Sequence, residues 1–218
     1  MHWAPWELFD AATFGTYLGA AAALVAAPGP GQALVMARTL QGGVRAGLLT
    51  SVGLTLGTLA HTVAAALGLS ALLLASATAF TVVKLAGAVY LIVLGTRMIA
   101  GTLGARPVAV PDRATEGTPR VQRSRLLAHG ALTGVLNPKV AVFFLAFLPQ
   151  FVRPERGGVF LQFAVLGGVL ATLGVIGDAL VAVLAARTGR RLAAGAWRER
   201  ITGGVLVALG LRLALVRR

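Results

Sequence analysis

Three ionisable side chains stand where the surrounding sequence offers no water: His61 in GTLAHTVAA, Lys139 in GVLNPKVAVFF and Asp178 in VLATLGVIGDALVAVLAA. An unpaired carboxylate in an apolar slab costs on the order of 3 kcal/mol or more, so Asp178 must be protonated or paired. It is therefore either a site of proton uptake and release or one half of a fixed ion pair. Lys139 is the natural partner. It follows Asn137-Pro138, a helix-start pairing of cap and first-turn proline, and a cation there opposes the helix dipole. An anion should therefore lie close, either Asp178 or a carboxylate that a ligand brings. Snorkelling to an interface is the other outcome open to Lys139, against its mid-span position. His61 could carry protons near neutral pH, or simply bond a backbone carbonyl of the next helix.

The elements that hold these groups are apolar throughout. Of 218 residues 57% are hydrophobic and 12% charged, and the mean hydropathy is +0.82. A soluble domain of this length carries roughly twice that charge fraction. Ala11 to Ala37, Ala46 to Val83 and Gly157 to Gly177 hold no charged residue. A bilayer crossing needs roughly 20 apolar residues, so the chain is expected to be an all-α, polytopic membrane protein with the lipid bilayer as its surroundings. At about 1.5 Å per residue the second run is too long for one crossing and must turn back near Gly68 to Thr78. Six crossings are predicted, near 13–40, 46–67, 79–98, 126–151, 158–186 and 201–216.

The net charge of +13 follows the loops. Thirteen arginines fall in the first, third and fifth connections and five on the other side, which puts the odd loops in the cytoplasm and both termini outside. Nucleic acid is not expected as a partner, because the arginines lie between the apolar runs, with Trp197 the one aromatic residue among them in the odd connections. With no cysteine there is no disulfide, thiolate metal site or thiol redox chemistry. Trp3 and Trp6 read as an interfacial belt, Lys84 as an interface anchor, and the start of the chain lacks the basic region of a cleaved signal peptide. Residues 101–125, rich in Pro, Thr and Arg, read as a cytoplasmic linker between a first unit at 1–100 and a second at 126–218.

Within this pattern two crossings are interrupted. VAAPGPGQALVM puts Pro28, Gly29, Pro30 and Gly31 in the first, and Asn137-Pro138 stands in the fourth. Pro30 and Pro138 are 108 positions apart, and Lys84, Gly95 and Arg97 recur as Arg200, Gly210 and Arg212 at offsets of 116, 115 and 115. Three helices per unit make this an inverted repeat, with broken helices one and four marking a binding site at corresponding places. One such kink alone would read as structural, because membrane helices tolerate Pro and Gly. A half-helix starting in the membrane aims free amides and a positive dipole end inward, a setting for a carboxylate, while unwound carbonyls near 26–29 and 136 can receive an ammonium group or a proton carrier. Gln32 and Gln150 flank the breaks as further polar contacts.

The stretches APGPGQALVMARTLQGGVRAGL, GTLAHTVAAALGL, KLAGAVYLIVLGTRMI and GVLNPKVAVFFLAFLPQFV together resemble the LysE/RhtB family of bacterial amino-acid exporters over nearly the whole length. The resemblance implies a multi-pass protein of the bacterial inner membrane that exports amino acids or close derivatives, driven by the proton gradient and without a cofactor. On that reading Pro28, Gly29, Pro30, Gly31, Gln32, Asn137, Pro138 and Lys139 form the substrate site, and Asp178 with His61 handles protons. A membrane-embedded enzyme would want a metal motif or paired carboxylates, and a channel or metal-ion exporter several acidic or His ligands along its path. The chain has three histidines in all and a single carboxylate within its crossings. Gly and Ala faces suit internal packing and a homodimer equally.

Overall fold

The computed structural model describes residues 8–27, 29–69, 77–101, 119–188 and 196–215. Pro28, Trp3, Trp6, most of the stretch read as a linker and the side chain of Lys84 fall outside that description. Every regular element among the described residues is helical. In chain order they are α1 (Ala11–Ala26), α2 (Pro30–Ala64), α3 (Ala77–Ile99), α4 (Pro119–Val135), α5 (Pro138–Val142), α6 (Val159–Thr188) and α7 (Ala196–Leu215). A wide turn at Ala65–Leu69 prolongs α2, and Phe143–Phe147 and Leu148–Phe151 prolong α5 in wide and tight turns. The fourth helix reaches back to Pro119, into the stretch read as linker.

Local chemistry explains three of the helix starts. Asp10 caps α1 by accepting the Thr13 amide at 2.7 Å and the Thr13 hydroxyl at 2.8 Å. Those two bonds, with a smaller contribution from Arg156 at 3.6 Å, hold its carboxyl below the usual range. Gly29 and Asn137, both in extended conformation, precede a proline at the first helical position of α2 and α5. The long α2 is not one rod: Gly42 and Gly43 leave helical geometry, and Gly43 has φ +75°, a conformation that favours glycine. It therefore divides into residues 30–41 and 44–64, near the expected loop between the first two crossings.

Among the described residues, Pro30–Gly68 and Val159–Thr188 are long and apolar enough to cross a membrane. Arg123–Val135 with Pro138–Phe151, bent by 45°, is a third span if taken as one. The outward faces are apolar too: Leu56, Val63, Val89, Leu132, Phe160 and Leu180 are exposed, as lipid contact requires.

Helices meet through small residues. Gly53 and Gly57 of α2 face Gly130 and Gly134 of α4 so closely that a Cβ at any of the four would collide with the opposite backbone. Gly95 of α3 and Gly203 of α7 do the same. An aromatic core of Tyr17, Phe143, Phe147, Phe151 and Phe163 fills the space between α1, the α5 segment and α6. The buried Tyr17 hydroxyl donates to the Leu166 carbonyl. Gln162, wholly buried, ties the turn before α6 by accepting the Arg153 amide and donating to the Arg153 and Gly157 carbonyls.

Candidate functional site

The α1–α2 and α4–α5 breaks converge. Helix α1 ends with Ala27 extended, and α2 starts three residues later without any side chain capping it. The amides of residues 31 and 32 lie in the first turn, where no intrahelical partner is available. Across from them Asn137 caps α5, its Oδ1 accepting the Lys139 amide at 3.1 Å. A Cβ on Gly31 would stand 3.7 Å from Asn137 Nδ2, so the two starts are close neighbours. The tight α2–α4 crossing sets this approach, because α4 runs directly into Leu136 and Asn137.

Lys139 bridges the halves. Its Nζ donates to the Leu24 carbonyl at 3.0 Å and the Ala27 carbonyl at 2.7 Å, both at the C-terminal end of α1. Those carbonyls have no helical donor, and a cation at that end meets the negative pole of the helix. Gln32 completes the work by donating to the Val25 carbonyl at 2.6 Å, while its Oε1 is buried with no hydrogen-bond partner. Gly29 has room beside it for the lysine arm: a Cβ there would be 3.3 Å from both Cε and Nζ of Lys139.

Asp178 is buried on α6 and accepts a hydrogen bond from the Ser51 hydroxyl at 3.0 Å. It does not form an ion pair with Lys139 within 4.0 Å; the ion pair found among the described residues is Arg156 with Asp10. The two charged groups instead line one partly open cavity. Gly31, Gln32, Thr58, Asn137, Gly174 and aliphatic residues such as Leu54, Val140 and Leu170 make up the rest of its wall.

The sequence-predicted residues sort accordingly. Gly31, Gln32, Asn137, Lys139 and Asp178 meet at the cavity, and Gly29 lies against the Lys139 arm beside it. Pro30 and Pro138 start their helices and are exposed. His61 is not in the wall. Its Nε2 lies 3.0 Å from the Val135 carbonyl and its ring stacks on Phe144, the carbonyl-bonded alternative open from the sequence. Gln150 donates to the Ala146 and Phe147 carbonyls of its own segment. Sequence reasoning missed Ser51, Thr58 and Gly174; the first had no signal beyond being a hydroxyl in a charge-free run.

The family model described as LysE type translocator matches residues 22–217. A membrane protein of Vibrio cholerae is 32% identical over 204 residues, covering 92% of this chain and 96% of its own. The homoserine/homoserine lactone efflux protein of Salmonella typhimurium is 31% identical over 153 residues, 69% of each chain. The leucine efflux protein of the same organism is 27% identical over 205 residues, 83% of this chain and 94% of its own. No solved structure matches the chain.

Proposed function

The chain belongs to the LysE type translocator family, and on that premise we propose that it exports amino acids or close derivatives from the cytoplasm across the bacterial inner membrane in exchange for protons. It is a transporter and not an enzyme. The observation that carries the reading is the meeting of two chain breaks, 108 positions apart in sequence, at a cavity holding one cation and one carboxylate. A zwitterion presents the complementary pair of charges, and the aliphatic remainder of the wall favours an uncharged side chain. Leucine and homoserine, after which two of the relatives are named, are zwitterions of that kind, while homoserine lactone, named with homoserine, keeps the ammonium without a free carboxylate.

Six crossings in two inverted units remain the best account of the architecture. The close pairing of α3 with its counterpart α7 supports it. The arginine distribution then puts the odd loops inside. In the transport cycle the substrate carboxylate docks on Lys139 and on the uncapped first-turn amides of α2. Asp178, held at rest by Ser51, exchanges its proton as the site turns outward. The test is counterflow in proteoliposomes with a panel of radiolabelled amino acids. Uptake of leucine- or homoserine-like compounds is expected, and exchange of none of them removes the proposal.

A further inference from the structure

Three carbonyls at the C-terminal end of α1 accept from side chains of other elements, and one of those side chains ends in a primary ammonium, as an amino acid does. Val25 is served by Gln32, and Leu24 and Ala27 by the primary ammonium of Lys139. A structural staple would have the same bonds, but three features set this contact apart. Lys139 lines the cavity, so the arm has space to swing into. It is not held by Asp178, which is bonded to Ser51 instead. The arm also passes over Gly29, whose backbone is extended and open to any residue, so glycine serves there to leave room for Cε and Nζ.

We propose that the Leu24 and Ala27 carbonyls are the ammonium subsite for the exported molecule, and that Lys139 is a tethered occupant which fills it between cycles. The inference rests on the export reading above. An arriving α-ammonium replaces Nζ on the two carbonyls, and the freed lysine turns to the arriving carboxylate. Hydrogen bond for hydrogen bond the exchange is even, so neither the buried carbonyls nor the lysine is left unpaired, which is the costly outcome. The subsite therefore selects primary ammonium compounds and rejects N-acylated ones, which cannot donate twice from an uncrowded nitrogen.

Two half-ligands separate the charges. Leucinol carries the ammonium without the carboxylate, and N-acetylleucine the reverse. Calorimetric titration of the purified full-length protein in detergent is expected to show weak leucinol binding to the native chain, because the lysine must be evicted. Lys139→Met should tighten it by about tenfold or more, the worth of a charge-assisted hydrogen bond. N-acetylleucine, which has no ammonium to evict the lysine, should bind neither the native chain nor this variant appreciably, and binding to the native chain as tight as leucinol's would contradict the subsite. Gly29→Ala keeps every charge but crowds the arm, and should tighten leucinol severalfold; it carries the test where Lys139→Met does not fold. Leucinol binding unchanged or weaker in the folded variants overturns the subsite. Native counterflow of amino acids alongside that result would sink this inference alone, whereas absence of counterflow by the native protein removes the export reading and the subsite with it.

Discussion

Replacing Gly130 by alanine adds one methyl group where two helices touch backbone to backbone. A Cβ at Gly130 would collide with the Thr50 carbonyl and lie 3.0 Å from Gly53 Cα and 3.1 Å from the Leu54 nitrogen. None of these atoms belongs to a side chain that can rotate away, so α4 and α2 must part by about 1 Å to restore ordinary carbon contacts. Overpacking of this kind costs about 1–3 kcal/mol. For a chain of this size each kcal/mol lowers Tm by about 2–4 °C. Export should fall further than abundance, because α4 runs into Asn137 and any shift is delivered to the site. Gly168→Ala in α6 is the control, since its Cβ would meet nothing within 4 Å. It should be neutral or stabilising by up to about 1 kcal/mol from helix propensity. Thermal unfolding in detergent, with export measured in parallel, reads both. Equal melting temperatures for the two variants would refute the close-crossing account.

Asp178→Asn keeps an acceptor for Ser51 but holds no exchangeable proton; it should fold and insert normally while losing export driven by a pH gradient, and undiminished gradient-driven flux would falsify the coupling role. Pro30→Ala and Pro138→Ala each place an amide where the helix start has no acceptor, and each should lower export more than expression; equal flux in both would return the breaks to a packing role. Asp10→Ala should lower Tm at pH 7 and pH 5. Because the folded carboxyl titrates below its ordinary 3.8, that difference persists above this value and shrinks as acid protonates the cap, so a gap that widens at pH 3 contradicts the assignment. A reporter fused after Arg218 should read the outer face of the membrane, and a cytoplasmic signal would reverse the proposed orientation.

Proline, glycine and asparagine made the breaks legible in the sequence, since their backbone preferences act locally and Asn137 caps α5 as its type suggests. The membrane class was equally legible from charge-free length. Long-range pairing was not. Lys139 was expected near an anion, and Asp178 does share its cavity, yet the ammonium's hydrogen bonds go to carbonyls, because the orphaned end of α1 reaches it only once the chain has folded back. Asp178 found Ser51 through a helix contact that no spacing encodes. The four-residue glycine spacing shared by Gly53-Gly57 and Gly130-Gly134 did carry a signal for the α2–α4 crossing, lost among 28 glycines. Arg38, counted as a loop charge, reaches across to α4, its Nη2 donating to His129 Nδ1 at 2.9 Å.

Gly174 offers the most direct access to the cavity. It is part of the wall, a Cβ there would meet nothing within 4 Å, and the chain has no cysteine of its own. The measurement is the rate at which a small charged methanethiosulfonate labels Gly174→Cys in proteoliposomes, with and without saturating amino acid. Labelling slowed severalfold by the same amino acids that support counterflow is expected. A rate indifferent to every amino acid the protein exchanges would show that the transported molecule binds somewhere other than where the two broken helices meet.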